Sequence, residues 1–217
     1  MRKVLATLTV IFTALTARAE PVTVAALGDS LTQGYGLPQG EGFVPQLSGW
    51  LERNGVEAVL INAGVSGDTT AGGAARVAWT LTPEVQAMIV TLGGNDLLRG
   101  LDPSVARANL DTILKTAWDE GVPVLLIGMR APGNYGPEYK AAFEANYAEL
   151  AKAYGALYLP DFMAGLVGEN GDPAAARPYL QGDGIHPNAE GVARIVEHIG
   201  PKVAELIALA RETGKGS

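Results

Sequence analysis

Along this chain, short runs of consecutive apolar residues alternate with longer segments in which apolar residues recur every three or four positions. That alternation is the pattern of a parallel sheet covered by helices, because a strand buried on both faces is apolar throughout and a covering helix only on one stripe. The runs predict strands at Val22 to Leu27, Val56 to Ile61, Ala87 to Leu92, Val122 to Ile127 and, more weakly, Ala156 to Leu159.

Helices are predicted between them. Asp102 is placed to cap a helix with Pro103 at its first position; Leu110, Ile113, Leu114, Ala117 and Trp118 give the period, and Gly121 ends it. Pro137 opens a second, in which Tyr139, Phe143, Tyr147, Leu150 and Tyr154 share a face up to Gly155. Phe43 to Asn54 is a shorter helix closed by Gly55. The last runs from near Asn188 to about Arg211, with Pro201 expected to kink or break it. These aromatic and aliphatic stripes are read as core. Gly165 to Gly184, rich in Gly, Asp and Pro, reads as the longest loop, and Gly214 to Ser217 as a frayed tail.

The first residues have a different pattern. Arg2 and Lys3 precede the apolar run Val4 to Leu15, and Ala17-Arg18-Ala19 offers small residues where a signal peptidase reads. The run is shorter than the roughly 20 apolar residues that span a bilayer. We therefore expect a signal peptide over residues 1–19, a single domain over 20–217, no stable membrane anchor, and a periplasmic or secreted monomer. Loss of Arg2, Lys3 and Arg18 would take the formal charge from −7 to about −10. An acidic chain has no clustered cations to hold phosphate backbones, so nucleic-acid binding is set aside. The chain contains no cysteine, which excludes disulfides, thiolate metal sites and a cysteine nucleophile.

Five parallel strands in an open, doubly wound sheet would put ligand-binding residues just after the carboxyl ends of strands. The first strand ends in Gly28-Asp29-Ser30, by itself ordinary turn chemistry. Gly182-Asp183-Gly184-Ile185-His186-Pro187 holds one of two histidines. A serine hydroxyl needs an adjacent base, and the base needs a group to fix its tautomer. Asp183 is spaced to bond Nδ1 of His186 within one turn, leaving Nε2 for Ser30. His198 lies within the last helix without such a partner and reads as structural.

Two further strand ends offer oxyanion donors. Asn62-Ala63-Gly64-Val65-Ser66-Gly67-Asp68-Thr69 follows the second strand, where Gly67 lets the backbone N–H approach a ligand. Leu92-Gly93-Gly94-Asn95-Asp96 follows the third, with the Asn95 amide as donor. Each loop alone reads as a glycine turn before a helix; together they converge on one crevice.

These blocks resemble the SGNH or GDSL hydrolases. Ser30, Gly67, Asn95 and His186 match the four namesake positions in order, and Asp183 matches the acid of the family's Asp-x-x-His element. The resemblance covers essentially the whole chain after residue 19. It implies a three-layer flavodoxin-like α/β fold with a five-stranded parallel sheet flanked by helices. It also implies a Ser30/His186/Asp183 triad, an oxyanion hole from Ser30 N–H, Gly67 N–H and the Asn95 side chain, and no metal or organic cofactor. Ser66-Gly67-Asp68-Thr69, Leu92 to Leu101 and Pro132-Gly133-Asn134-Tyr135-Gly136 are similar to the bacterial branch of thioesterase I, lysophospholipase L1 and arylesterase. Gly64-Val65 and Gly128-Met129 depart from that branch beside the matched positions, which bears on acyl preference rather than on chemistry.

The expected substrate is therefore a small-molecule acyl ester or thioester. Leu97, Leu98, Leu101 and Tyr135 are candidates to line an acyl pocket, and packing of the following helix explains the leucines equally well. A carbohydrate acetyl esterase and a non-catalytic lipid-binding module are the alternatives from other classes. The first would need polar sugar contacts, and the second leaves the triad and its donors without a purpose.

Overall fold

The computed structural model describes residues 20–167 and 172–214. The expected signal peptide, with its cleavage site, lies outside the described residues, as do part of the Gly165 to Gly184 segment and the end of the expected tail.

Five parallel strands form one sheet: β1 (Val22–Gly28), β2 (Ala58–Gly64), β3 (Ala87–Thr91), β4 (Val124–Ile127) and β5 (Leu157–Leu159), in the order β2-β1-β3-β4-β5. This is the flavodoxin-type order, in which the chain leaves β1 toward one neighbour and later returns to its other side. The main helices are α2 (Phe43–Arg53), α3 (Thr70–Thr80), α5 (Pro103–Asp119), α6 (Pro137–Tyr154) and α8 (Ala189–Glu212); α1 (Ser30–Gln33), α4 (Gly94–Leu98) and α7 (Ala164–Val167) are single turns. The helices fall into two layers, α2 against α8 and α3, α5 and α6 alongside one another. The switch point falls at β1, between β2 and β3, and the ends of those strands carry Ser30, Gly67 and Asn95.

Burial follows position in the sheet. Leu27, Ile89, Val90, Leu125 and Leu126 in the central strands are buried, whereas the edge strand β2 is half-buried with Val59 exposed. Against the centre pack Leu47, Ile113 and Phe143, one each from the apolar stripes of α2, α5 and α6, and Ile199 and Leu206 from α8. Truncating one of these to alanine would cost about 2–5 kcal/mol.

The structure shifts several expected boundaries. Val56, Val122 and Ala156 do not begin strands; each donates its N–H back into the preceding helix, to Leu51, Ala117 and Ala151 at 2.9, 2.8 and 2.9 Å. Each follows a glycine that turns the helix end, so this residue closes the helix and the strand starts later. The second strand instead continues to Gly64, paired beside Gly28.

Helix α3 follows the Gly67 loop in a stretch whose paired glycines concealed its period. Gly73 is buried there because a Cβ would collide with Leu92. Pro201 lies inside α8 without ending it: Ile195, Ile199, Val203 and Leu206, on both sides of the proline, are all buried on one face. That shared burial outweighs the lost backbone bond. The expected long loop is partly helical where described, with α7 and a 3₁₀ turn over Pro173–Tyr179. No helix among the described residues is long and apolar enough to cross a membrane.

Candidate active site

Strand β1 delivers Ser30 into the crevice. Gly28 permits the tight exit: a Cβ there would collide with Thr32 and stand 2.9 Å from the Thr91 carbonyl. Asp29 then caps the single turn of α1, its Oδ1 accepting the Leu31 N–H at 3.0 Å, and Ser30 is the first residue of that turn.

The histidine arrives from the opposite end of the chain. Asn188 caps α8 by accepting the Gly191 N–H at 2.9 Å, and just before it the chain folds back in a short bridge between Leu180 and Pro187. Gln181 fastens this loop: its N–H donates to the His186 carbonyl at 2.7 Å, and its side-chain amide donates to the carbonyls of Tyr35 at 2.8 Å and Pro187 at 3.0 Å. The Tyr35 ring covers the imidazole, with centroids 4.7 Å apart.

Within the loop the geometry is that of a relay. His186 Nδ1 lies 2.6 Å from Asp183 Oδ2, and Nε2 lies 2.8 Å from Ser30 Oγ. The other Asp183 oxygen accepts the N–H groups of Ile185 and His186 at 2.9 and 3.0 Å. Hydrogen bonding from the His186 ring, then from the two backbone N–H groups, holds the Asp183 carboxyl down at about 2. It is therefore anionic wherever an imidazole needs it. His198 is exposed on α8 and does not line the cavity around Ser30.

Gly67 adopts φ of 81°, a left-handed conformation that a side chain would strain. Its N–H and that of Ser30 have no acceptor among the described residues. The Asn95 amide donates to the Asp68 carbonyl at 2.9 Å and reaches Asp29 Oδ2 at 3.4 Å. The three expected donors thus come from the ends of β1, β2 and β3.

Several residues that sequence reasoning passed over hold these donors in place. Arg76, on α3, donates to the Asp68 carboxylate at 2.7 Å and to the carbonyls of Ala63 and Gly28 at 2.7 and 2.8 Å, joining the first two loops. The buried Asp96 accepts from the Thr70 N–H at 2.9 Å and from its hydroxyl at 2.6 Å, joining the second and third. The buried Tyr147 hydroxyl donates to the Leu92 carbonyl at 2.8 Å. Asp29, only 1% exposed, has its carboxyl pushed up to about 6 by burial, against the opposing pull of the Leu31 N–H, the His186 charge and the Asn95 amide. In sequence, the only trace of this network is a charged residue in each of several apolar or glycine-rich stretches.

Ser30, Asn95, Gly67 and His186 share a cavity of about 430 Å³ with Leu31, Leu97, Leu98, Met129, Tyr135 and Met163. Leu97 is buried in its wall, while Leu98 and Tyr135 stand exposed at its mouth. Leu101 is not among its lining residues; its carbonyl accepts the Tyr139 hydroxyl at 2.8 Å. Met129, Met163 and Ile185 line the cavity without having been expected, since methionine and isoleucine in loops carry no sequence signal of their own.

The chain is similar to several known esterases. The chain is 37% identical over 194 residues to the esterase TesA of Pseudomonas aeruginosa, covering 89% of this chain and 93% of that protein. It is 34% identical to thioesterase 1/protease 1/lysophospholipase L1 of Escherichia coli K12, covering 85% of each. The crystal structure of AlinE4, an SGNH-hydrolase family esterase, superposes with a TM-score of 0.71 at 42% identity, covering 87% of this chain and 98% of that one. Residues 26–194 match the model of the GDSL-like lipase/acylhydrolase family, a span that runs from the end of β1 into α8 and encloses every residue of the crevice, and the chain belongs to that family.

Proposed function

We propose that this protein hydrolyses carboxylic esters and thioesters through an acyl-enzyme on Ser30. The observation that carries the reading is the continuous relay from Asp183 through His186 to Ser30 Oγ, at 2.6 and 2.8 Å, opening into an apolar cavity. As Ser30 Oγ attacks the acyl carbon, His186 Nε2 takes its proton and Asp183 stabilises the imidazolium that forms. The carbonyl oxygen becomes an oxyanion received by the Ser30 and Gly67 N–H groups and the Asn95 amide; one such donor is worth about 3 kcal/mol. Collapse breaks the bond to the alcohol or thiol, which leaves with the proton from His186. Water then attacks the acyl-enzyme with His186 again as base, releasing the acid and restoring Ser30.

The apolar wall of Leu31, Leu97, Met129 and Met163 favours medium or long acyl chains over acetate, and it offers a sugar few polar partners. The relatives named esterase, arylesterase and thioesterase 1/protease 1/lysophospholipase L1 support ester and thioester hydrolysis. Residues 20–217 act as one hydrolase domain in this reading. Residues 1–19, with Arg2 and Lys3 ahead of an apolar run and Ala17 and Ala19 at its end, serve as an export signal to the periplasm or beyond.

The test is the Ser30→Ala variant assayed on p-nitrophenyl esters of graded chain length, alongside labelling of the wild type by a fluorophosphonate. Loss of both turnover and labelling in a folded variant is expected. Near wild-type turnover by folded Ser30→Ala would refute the assignment, and a sharp preference for acetyl esters would refute the acyl wall.

A further inference from the structure

Among the described residues five arginines face a carboxylate: Arg76 meets Asp68 and Arg107 meets Glu149 at 2.7 Å, Arg194 meets Glu190 at 3.4 Å, Arg130 meets Asp161 at 3.8 Å and Arg53 meets Glu197 at 4.0 Å. Arg99, like Arg211 on the Glu57 carbonyl, bonds a backbone carbonyl instead. It caps the end of α4 and is exposed, and its Nη2 donates to the Gly67 carbonyl at 2.9 Å. Among the described residues no carboxylate lies in ion-pair range of it. A neutral carbonyl orients this guanidinium without cancelling its charge, in a chain whose formal net charge is −7.

Its position relates to the site. Leu98, which precedes it, and Gly67, which it binds, both line the cavity; Arg99 itself does not, so the guanidinium lies just outside the rim, on the side of Gly67. The apolar wall behind takes the acyl chain, which leaves the departing alcohol or thiol at the mouth. With Nη2 held by Gly67, Nε and Nη1 have no acceptor among the described residues. A planar, permanently charged fork with free N–H groups matches the paired oxygens of a phosphate.

We infer that Arg99 is a specificity-determining residue that binds a phosphate on the leaving group. It thereby favours phosphate-bearing esters or thioesters over neutral ones with the same acyl chain. The inference rests on the hydrolase reading above. The same phosphate chemistry occurs in a nucleotide-bearing thiol carrier and in a lysophospholipid headgroup.

The experiment compares the wild type, Arg99→Gln and Arg99→Lys on four substrates sharing one acyl chain. Acyl-coenzyme A is paired with the neutral N-acetylcysteamine thioester, and acyl lysophosphatidylglycerol with the neutral monoacylglycerol. Arg99→Gln is expected to raise KM for the phosphate-bearing member of a pair by about tenfold, with kcat and both neutral substrates nearly unchanged. Arg99→Lys should recover part of the loss. Added salt should raise the wild-type KM for that substrate and leave the Arg99→Gln value unmoved.

An effect in the thioester pair alone assigns the nucleotide carrier, and an effect in the lipid pair alone assigns the headgroup. An equal fall of kcat on all four substrates would overturn the inference and make Arg99 a support for Gly67; unchanged constants would overturn it too. Absence of wild-type hydrolysis on all four would instead remove the hydrolase reading itself.

Discussion

The two halves of the crevice are built in different ways. The relay half, Asp183 and His186, sits in a largely exposed turn held mostly by local bonds: Asp183 to its own following N–H groups and Gln181 to the Pro187 carbonyl, with one long-range bond from Gln181 to the Tyr35 carbonyl. The oxyanion half rests on groups that tie together the ends of three strands, the half-buried Arg76 across β1 and β2 and the buried Asp96 across the loops after β2 and β3. In the proposed mechanism proton transfer is thereby separated from stability, whereas the oxyanion donors are coupled to it. A side chain in the first half can be removed with the fold intact; one in the second takes packing and hydrogen bonds with it.

Variants of the relay half should show the largest effects on rate. His186→Ala should lower kcat by about 10⁴–10⁶-fold, and Asp183→Asn by about 10⁴-fold through loss of the imidazole's orientation. In both, thermal melts should stay close to wild type. A melting temperature that falls as far for Asp183→Asn as for the next variant would erase the distinction between the halves.

That next variant is Asp96→Ala, which strands the Thr70 N–H and hydroxyl in a buried position. It should cost about 3 kcal/mol and lower Tm by roughly 6–12 °C, with a smaller loss of kcat as the Asn95 and Gly67 loops loosen. Circular-dichroism melts run beside ester assays would report both.

Asp29 gives a pH signature to the same half. Its carboxyl is raised from 3.8 to about 6 by burial, so the folded protein holds this proton more tightly than the unfolded chain. Its contribution is fully present below pH 3.8 and is lost as pH rises through about 6, an amount of about 3 kcal/mol. Urea unfolding of wild type and Asp29→Asn across pH 3.5–7 should show that decline only in the wild type; parallel curves would contradict it. The smallest effect belongs to the relay half again: Asn188→Ala, removing the cap of α8, should cost about 1 kcal/mol and leave kcat little changed.

The same division governs what could be read in the sequence. Ser30, Asp183 and His186 are legible because their chemistry is carried by side chains in short local patterns placed after strands. Arg76 is not, because two of its partners are the carbonyls of Gly28 and Ala63, atoms that every residue possesses and that only strand register brings together.

The strand centres were legible from their apolar runs, but the starts of β2, β4 and β5 were not. Val56, Val122 and Ala156 have the composition of a strand and the hydrogen bonds of a helix end. Helix α3 was hidden for a third reason. Gly72 and Gly73 interrupt its apolar period, although Gly73 is a glycine for the sake of close packing on Leu92. Lining residues such as Met129 and Met163 follow from how loops fold over the crevice, which no periodicity reports.

The Arg76 fork has one more consequence, for how this enzyme can change over generations. A single rigid guanidinium fixes the spacing of Gly28 against Ala63 and Asp68, so nearly any substitution there alters both loops at once. Across the cavity, Met129, Tyr135, Met163 and Ile185 are not bound into that fork. New substrate ranges should arise by drift on that far wall. The wall carrying Gly67 and Asn95 should keep its form while descendants diverge in what they consume.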